Sequence, residues 1–266
     1  MQRVHRNIMK WPTVRLTLCL LIPLLLMGSA SATAATPVFA AAASMKFVLR
    51  DIAEAFQQDT GKNVRFSFAS SGNLTRLIQQ GAPFQLFFSA NSDYIEQLQA
   101  QQLAQRPKTV YAIGRLALMT NPASRLSLDR QLLGIHQALQ ENRLLHFAIA
   151  NPQLAPYGEA AREALQNLHL WPRIQDKLVI GDNAAQAVQF SVSGAAQAGL
   201  VAYSLVLAAK ANSGIRFVLI PQTLHRPLQQ TMVPLTSAGD TAREFLRYMQ
   251  QKKAEDILEH YGYSLP

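Results

Sequence analysis

Twice within residues 38–80 the chain passes from a strand-like apolar run, through serine, into a helix. Val64, Phe66 and Phe68 alternate as a half-buried strand does. After Ala69-Ser70-Ser71-Gly72-Asn73 the apolar residues Leu74, Leu77 and Ile78 fall at helical spacing, and Gly81 closes that helix. Just upstream, Val38 to Ser44 (VFAAAAS) is a short apolar run. Ser44 opens a helix whose stripe is Val48, Ile52, Ala55 and Phe56, ended by Gly61. A helix N-terminus carries unpaired N–H groups and partial positive charge, so each junction is a seat for an anion. Taken alone, Ser71 could simply cap its own helix. In an open α/β sheet, however, such junctions gather at the carboxyl ends of the strands, where ligands bind. Two serine junctions aimed at one crevice constrain the chain more than one does.

Ahead of these junctions, residues 1–35 read as a secretory signal peptide. Arg3, Arg6, Lys10 and Arg15 form a basic region, Leu16–Met27 an apolar core broken by Pro23, and 28–35 a small-residue cleavage zone. The apolar run is too short for a convincing membrane span. Its removal takes away Cys19, the sole cysteine, so the mature chain is expected to fold without disulfides or thiol chemistry. It also removes four basic and no acidic residues, lowering the formal net charge from +9 to +5. The surplus is spread along the chain without a basic block, which argues against nucleic acid as partner.

The remainder alternates strand and helix. The spacing predicts strands at 37–43, 63–69 and 84–89, with helices at 45–59, 72–80 and about 92–102. An extended segment at 109–119 is interrupted by Gly114 and broken by Asn121-Pro122. A second series follows: helix 128–142, strand 146–150, helix 159–168, strand 177–180, helix 184–192, and strands 199–202 and 216–220. The tail from 240 to 260 is helical. Two α/β series separated by extended segments near 114–122 and 219–235 predict two lobes joined by two hinge crossovers. Each lobe is expected to hold a mostly parallel sheet flanked by helices. The expected division is residues 36–118 plus 223–266 for the first lobe and 119–222 for the second.

The residues that carry a family resemblance are VFAAAAS, FSFASSGNLTRLIQQGAPFQLFFSAN, the NP…PYGEAAREAL block, DNAAQAV, GLVAYS and the closing HYGY, together spanning 38–263. With them the chain resembles the molybdate-binding periplasmic proteins of ABC transporters. That resemblance implies a two-lobed periplasmic binding protein fold of type II, closing on its ligand by hinge motion. It also implies delivery of molybdate or tungstate to an inner-membrane ABC permease with its ATPase, by a monomeric, exported protein that is not an enzyme and carries no cofactor. Carried across by position, Ser44 and Ser71 would supply hydroxyl and N–H donors from the first lobe. Tyr157 and Ala184 would supply backbone N–H groups from the second. The family's tyrosine after the GLV strand corresponds to Ala202 here; Tyr203, one residue later, is the candidate for that ligand contact, although strand alternation would turn it to the opposite face. The family's acidic position in the GAP block is Gln85.

Neutral donors suit a dianion with no proton to share, such as molybdate, tungstate or sulfate. Phosphate, protonated near neutral pH, benefits from a carboxylate acceptor. Asp182 is the one acidic neighbour of the expected donors. The rival classes are a binding protein for another oxyanion, such as sulfate, and an exported α/β hydrolase using Ser71. Gly-x-Ser-x-Gly is absent, no base stands near Ser71 in the chain, and His136, His146, His169, His225 and His260 share no metal-ligand spacing, so no metal centre is expected.

Overall fold

A computed structural model of the chain describes residues 35–210 and 214–266. The expected signal peptide lies, apart from Ala35, outside the described residues. In chain order the elements are β1 (Val38–Ala42), a 3-10 turn (Ala43–Met45), α1 (Lys46–Thr60), β2 (Arg65–Ala69), α2 (Ser71–Gln79), β3 (Leu86–Ser89), α3 (Asp93–Ala100), β4 (Thr109–Gly114) and β5 (Leu116–Thr120). There follow α4 (Leu133–Gln140), β6 (Phe147–Ala150), α5 (Pro156–Asn167), α6 (Trp171–Ile174), β7 (Leu178–Gly181), α7 (Ala184–Val192), β8 (Ala198–Ala202), α8 (Tyr203–Lys210), β9 (Arg216–Leu219), β10 (Leu228–Pro234), α9 (Asp240–Tyr248) and α10 (Lys252–His260).

The strands form two five-stranded sheets, ordered β2-β1-β3-β10-β4 and β7-β6-β8-β5-β9. The two-lobed arrangement is therefore present. Both sheets are mixed and, as expected, mostly parallel: in each, four strands run one way and one runs against them. β1 is parallel to β2 and β3, and β6 to β7 and β8, because a helix covers each return. β10 is antiparallel to β3 and β4, and β5 to β8 and β9. These are the strands that arrive directly from the other sheet, without a helical crossover to reverse them. The chain leaves the first sheet at Arg115, so the expected lobe boundary at 118/119 falls inside β5.

Register brings the serine junctions together. Ala42, the last residue of β1, lies beside Ala69, the last of β2, so the turns that follow start side by side. In the second sheet Ala150 of β6 pairs with Gly181 of β7, and the starts of α5 and α7 become neighbours in the same way.

Beneath the first sheet, Phe39, Phe56, Phe66, Phe88 and Phe245 form a ring cluster with centroid separations of 5.1 to 6.3 Å. The helical stripe read from α1 is buried against it. α1 stops at Gly61, whose φ of +71° suits a residue without a side chain and whose amide bonds to Gln57. Trimming a buried ring such as Phe245 to alanine costs about 3–5 kcal/mol in cores of this kind. The junction turns are thus held on a stiff base.

Candidate anion-binding site

Four backbone turns meet at a small cavity of about 10 Å³. Ala43 and Ser44 come from the 3-10 turn, Ser70 and Ser71 from the start of α2, Pro156 and Tyr157 from the start of α5, and Ala184 from the start of α7. The structure thus brings Ser44, Ser71, Tyr157 and Ala184 together. No lining residue is charged.

Each turn leaves donors for a guest. Ser70, and not Ser71, caps α2: its Oγ accepts the Asn73 amide at 3.4 Å. Released from that role, the Ser71 hydroxyl accepts the Ala90 amide at 3.1 Å, which occupies a lone pair and leaves its proton to donate. The Ser44 hydroxyl is buried with no partner among the described residues. At α7 the cap is Asn183, whose Oδ1 takes the amides of Ala185 (3.0 Å) and Gln186 (3.2 Å). Ala184, as first residue of α7, has no carbonyl a turn earlier in its own helix to receive its N–H. Pro156 at the first position of α5 carries no N–H, and the amides of Gly158 and Glu159 bond back to Ala155 at 2.8 and 3.0 Å. That singles out the Tyr157 N–H at this helix start. Three helix N-termini add a field that favours negative charge.

The side chain of Tyr157 turns to the hinge. Its hydroxyl is buried beside the Tyr263 phenol and lies 2.2 Å from where a Cβ on Gly114 would stand. Burial, and then the neighbouring Tyr263 phenol, push it well above the ordinary tyrosine range, so it stays neutral. Tyr203 is not in the cavity. Its amide bonds to Arg115 at 3.0 Å, its ring packs on Phe217 with centroids 5.5 Å apart, and a Cβ on Gly262 would collide with it at 2.4 Å. The expected ligand contact of Tyr203 is thus not made: Tyr203 is the first residue of α8, and its ring faces the C-terminal segment and not the cavity. Asp182 is exposed and outside the lining, and Arg76 is on a solvated helix face. Gln85 holds the amide of Gly239 at 3.1 Å, on the loop before α9 and away from the cavity.

The two halves also touch around the cavity. Gly72 donates to the Leu154 carbonyl, and Tyr94 donates to Gln153 at 3.4 Å. Arg226, in the second crossover, pairs with Glu163 at 2.7 Å and with Glu159 of the first turn of α5, which offsets the negative charge nearest that helix start.

The whole stretch from residue 38 to 264 matches the family model described as bacterial extracellular solute-binding protein. A curated relative, the molybdate-binding protein ModA of Rhodobacter capsulatus, is 35% identical over 243 residues, covering 90% of this chain and 92% of the relative. The chain belongs to this solute-binding family, with the molybdate-binding ModA proteins. Among solved structures of the family, the periplasmic molybdate-binding protein of Azotobacter vinelandii superposes with a TM-score of 0.79 at 32% identity, over 86% of this chain and 99% of that one. The sulfate-binding protein SubI of Mycobacterium tuberculosis shares the fold, with a TM-score of 0.71 at 13% identity over 86% of each chain. The relatives are described as solute-binding proteins and not as enzymes. What sequence reading missed was the division of labour at Ser70-Ser71-Gly72. The adjacent serines were the available signal, one to cap and one to spare.

Proposed function

We propose that this chain is an extracytoplasmic solute-binding protein that captures molybdate, or the isosteric tungstate, between its two lobes. It then presents the ion to an inner-membrane ABC permease. In this reading residues 1–35 direct export to the periplasm, and the protein acts as a monomer. The first lobe is built on 36–115 and the C-terminal segment that includes β10; the second is built on 116–222. Ser44 and Ser71 donate from the first lobe, and the Tyr157 and Ala184 amides from the second.

The observation that carries the reading is a cavity lined solely by uncharged groups at which three helix starts and two serine hydroxyls converge. A hydrogen bond to a charged partner is worth about 1.5–3 kcal/mol, so four give about 6–12 kcal/mol and six or seven exceed the roughly 8 kcal/mol of micromolar binding, leaving something for desolvation and closure. The absence of an acceptor among the lining side chains other than hydroxyls favours an ion with no proton. Sulfate satisfies that condition too and is the second reading, because the same donor set serves any tetrahedral dianion. A melting-temperature series separates them, since a ligand that binds the native state alone raises its stability by mass action. Molybdate and tungstate should raise the midpoint, with sulfate weaker and phosphate inert. A shift with sulfate and none with molybdate would transfer the assignment to sulfate.

A further inference from the structure

Ser44 lies in a run of alanines, so nothing in its own segment anchors the 3-10 turn through a side chain. Ala42, ahead of the turn, makes no capping bond. The anchor comes from elsewhere. The Ser44 carbonyl accepts a proton from the Ser204 hydroxyl at 3.0 Å and lies 3.1 Å from the Tyr263 hydroxyl. Tyr263 and Ser204 are themselves 3.0 Å apart, so three oxygens close a triangle held by two hydroxyl protons. All three residues are buried. Neither Ser204 nor Tyr263 lines the cavity.

The two anchors come from different places. Ser204 is on α8, directly after β8 of the second sheet. Tyr263 precedes Ser264, which exchanges hydrogen bonds of 2.7 and 3.0 Å with Ile113 on β4, next to hinge residue Gly114. The turn carrying Ser44 is therefore tied at one atom to the second half of the molecule and to the hinge strand.

We infer that Ser204 and Tyr263 are positioning residues for anion binding, fixing the Ser44 carbonyl so that the Ser44 hydroxyl is held toward the ligand. This rests on the functional reading above. It extends that reading to two side chains that do not touch the ion. Ser44 is the cavity residue whose carbonyl both of them hold, while the Tyr263 phenol also stands against the Tyr157 phenol; the double variants with Ser44 separate the two routes.

The experiment is isothermal titration of molybdate into the full mature protein and its variants. Ser204→Ala and Tyr263→Phe should each weaken binding about tenfold, the equivalent of one hydrogen bond, while Ser204→Thr, which keeps the hydroxyl, should bind as wild type does. In a Ser44→Ala background the same two substitutions should lose less than about threefold, since the hydroxyl they place is already gone. A merely structural role would give equal losses with and without Ser44, and that additivity overturns the inference. Unchanged binding in Ser204→Ala overturns it as well. Should Tyr263→Phe not fold, the Ser204→Ala and Ser204→Thr pair decides. Wild-type protein that binds neither molybdate nor tungstate overturns the functional reading, a failure distinct from wild-type binding with unaffected variants.

Discussion

Gly72 donates its amide proton across the cleft to the carbonyl of Leu154, 2.9 Å away. One residue before it, Ser71 faces the cavity; two residues beyond Leu154, Pro156 at the start of α5 does the same. Closure of the lobes and assembly of the donor set are thus coupled at neighbouring residues. A Cβ on Gly72 would stand 3.0 Å from the Leu154 oxygen and 3.0 Å from the Tyr94 hydroxyl, tighter than an ordinary contact. Within its own helix alanine is the better residue, by up to about 1 kcal/mol. Gly72→Ala should therefore separate two quantities. The ligand-free melting temperature should hold or rise, while molybdate affinity should fall about tenfold as the lobes meet less closely. Calorimetry together with a melting curve on the same sample checks both.

Gly114 makes a harsher version of the same test. A Cβ there would lie 2.2 Å from the Tyr157 hydroxyl and 3.1 Å from its ring carbon, in a buried place with little room to yield. Overpacking of this kind costs about 1–3 kcal/mol. Gly114→Ala should lower the melting temperature by roughly 2–4 °C per kcal/mol and weaken molybdate binding, because Tyr157 carries both the obstructed phenol and a donor N–H. Adding Tyr157→Phe removes the colliding oxygen and keeps the amide, so the double variant should recover most of the lost affinity. No recovery would mean that the phenol contact is not what Gly114 accommodates.

The alternation of strand and helix was legible because apolar periodicity survives wherever an element buries one face, and the helix expected at 184–192 appears with those limits. β10 was legible only as part of the extended segment expected at 219–235, without strand limits. It opens Leu228-Gln229-Gln230-Thr231, and Gln230 and Thr231 are fully buried at the hinge, so polar residues sit where the pattern expects apolar ones. The helix expected at 128–142 is confined to α4. Both carboxylate oxygens of Asp129 take the amides of Gln131, Leu133 and Gly134, and Leu132 adopts a φ of +57°, a turn that precedes the helix. α5 starts earlier than expected, at Pro156, where a proline in the first helical position was the missed signal. At the site the serine junctions could be read locally. Ser204 and Tyr263 could not be assigned to Ser44, because they lie 160 and 219 residues away in the chain.

Ser71 offers the most direct test of the donor set. In the proposed site, Ser71→Ala would remove one bond to the anion, and it leaves the buried Ala90 amide without its present acceptor. A loss of about 1.5–3 kcal/mol, tenfold to somewhat more than a hundredfold in affinity, is expected by titration. Ser71→Glu places a carboxylate where the dianion would sit and should abolish the thermal shift with molybdate and tungstate alike. Retention of the full shift would remove Ser71 from the site.

The response to pH should come from the hinge and not from the cavity. His225 is buried in the second crossover; its Nδ1 lies 2.8 Å from the Arg226 carbonyl and its Nε2 has no partner among the described residues. Burial pulls its pKa below the ordinary 6.5, with nearby Arg115 adding to this, while the Arg226 carbonyl and Glu163 oppose it. A histidine depressed in the folded state contributes stability that is present above its unfolded pKa and lost as pH falls toward the folded one. The ligand-free protein should thus lose melting temperature below about pH 6.5, with a slope of at most about 1.4 kcal/mol per pH unit from this group. His225→Gln should flatten that fall. Molybdate affinity should stay level between about pH 6 and pH 8 in both proteins, since the one titratable lining side chain, Tyr157, remains protonated throughout that range. A wild-type affinity that drops in this range in step with the melting temperature would place a titrating group in the anion site itself.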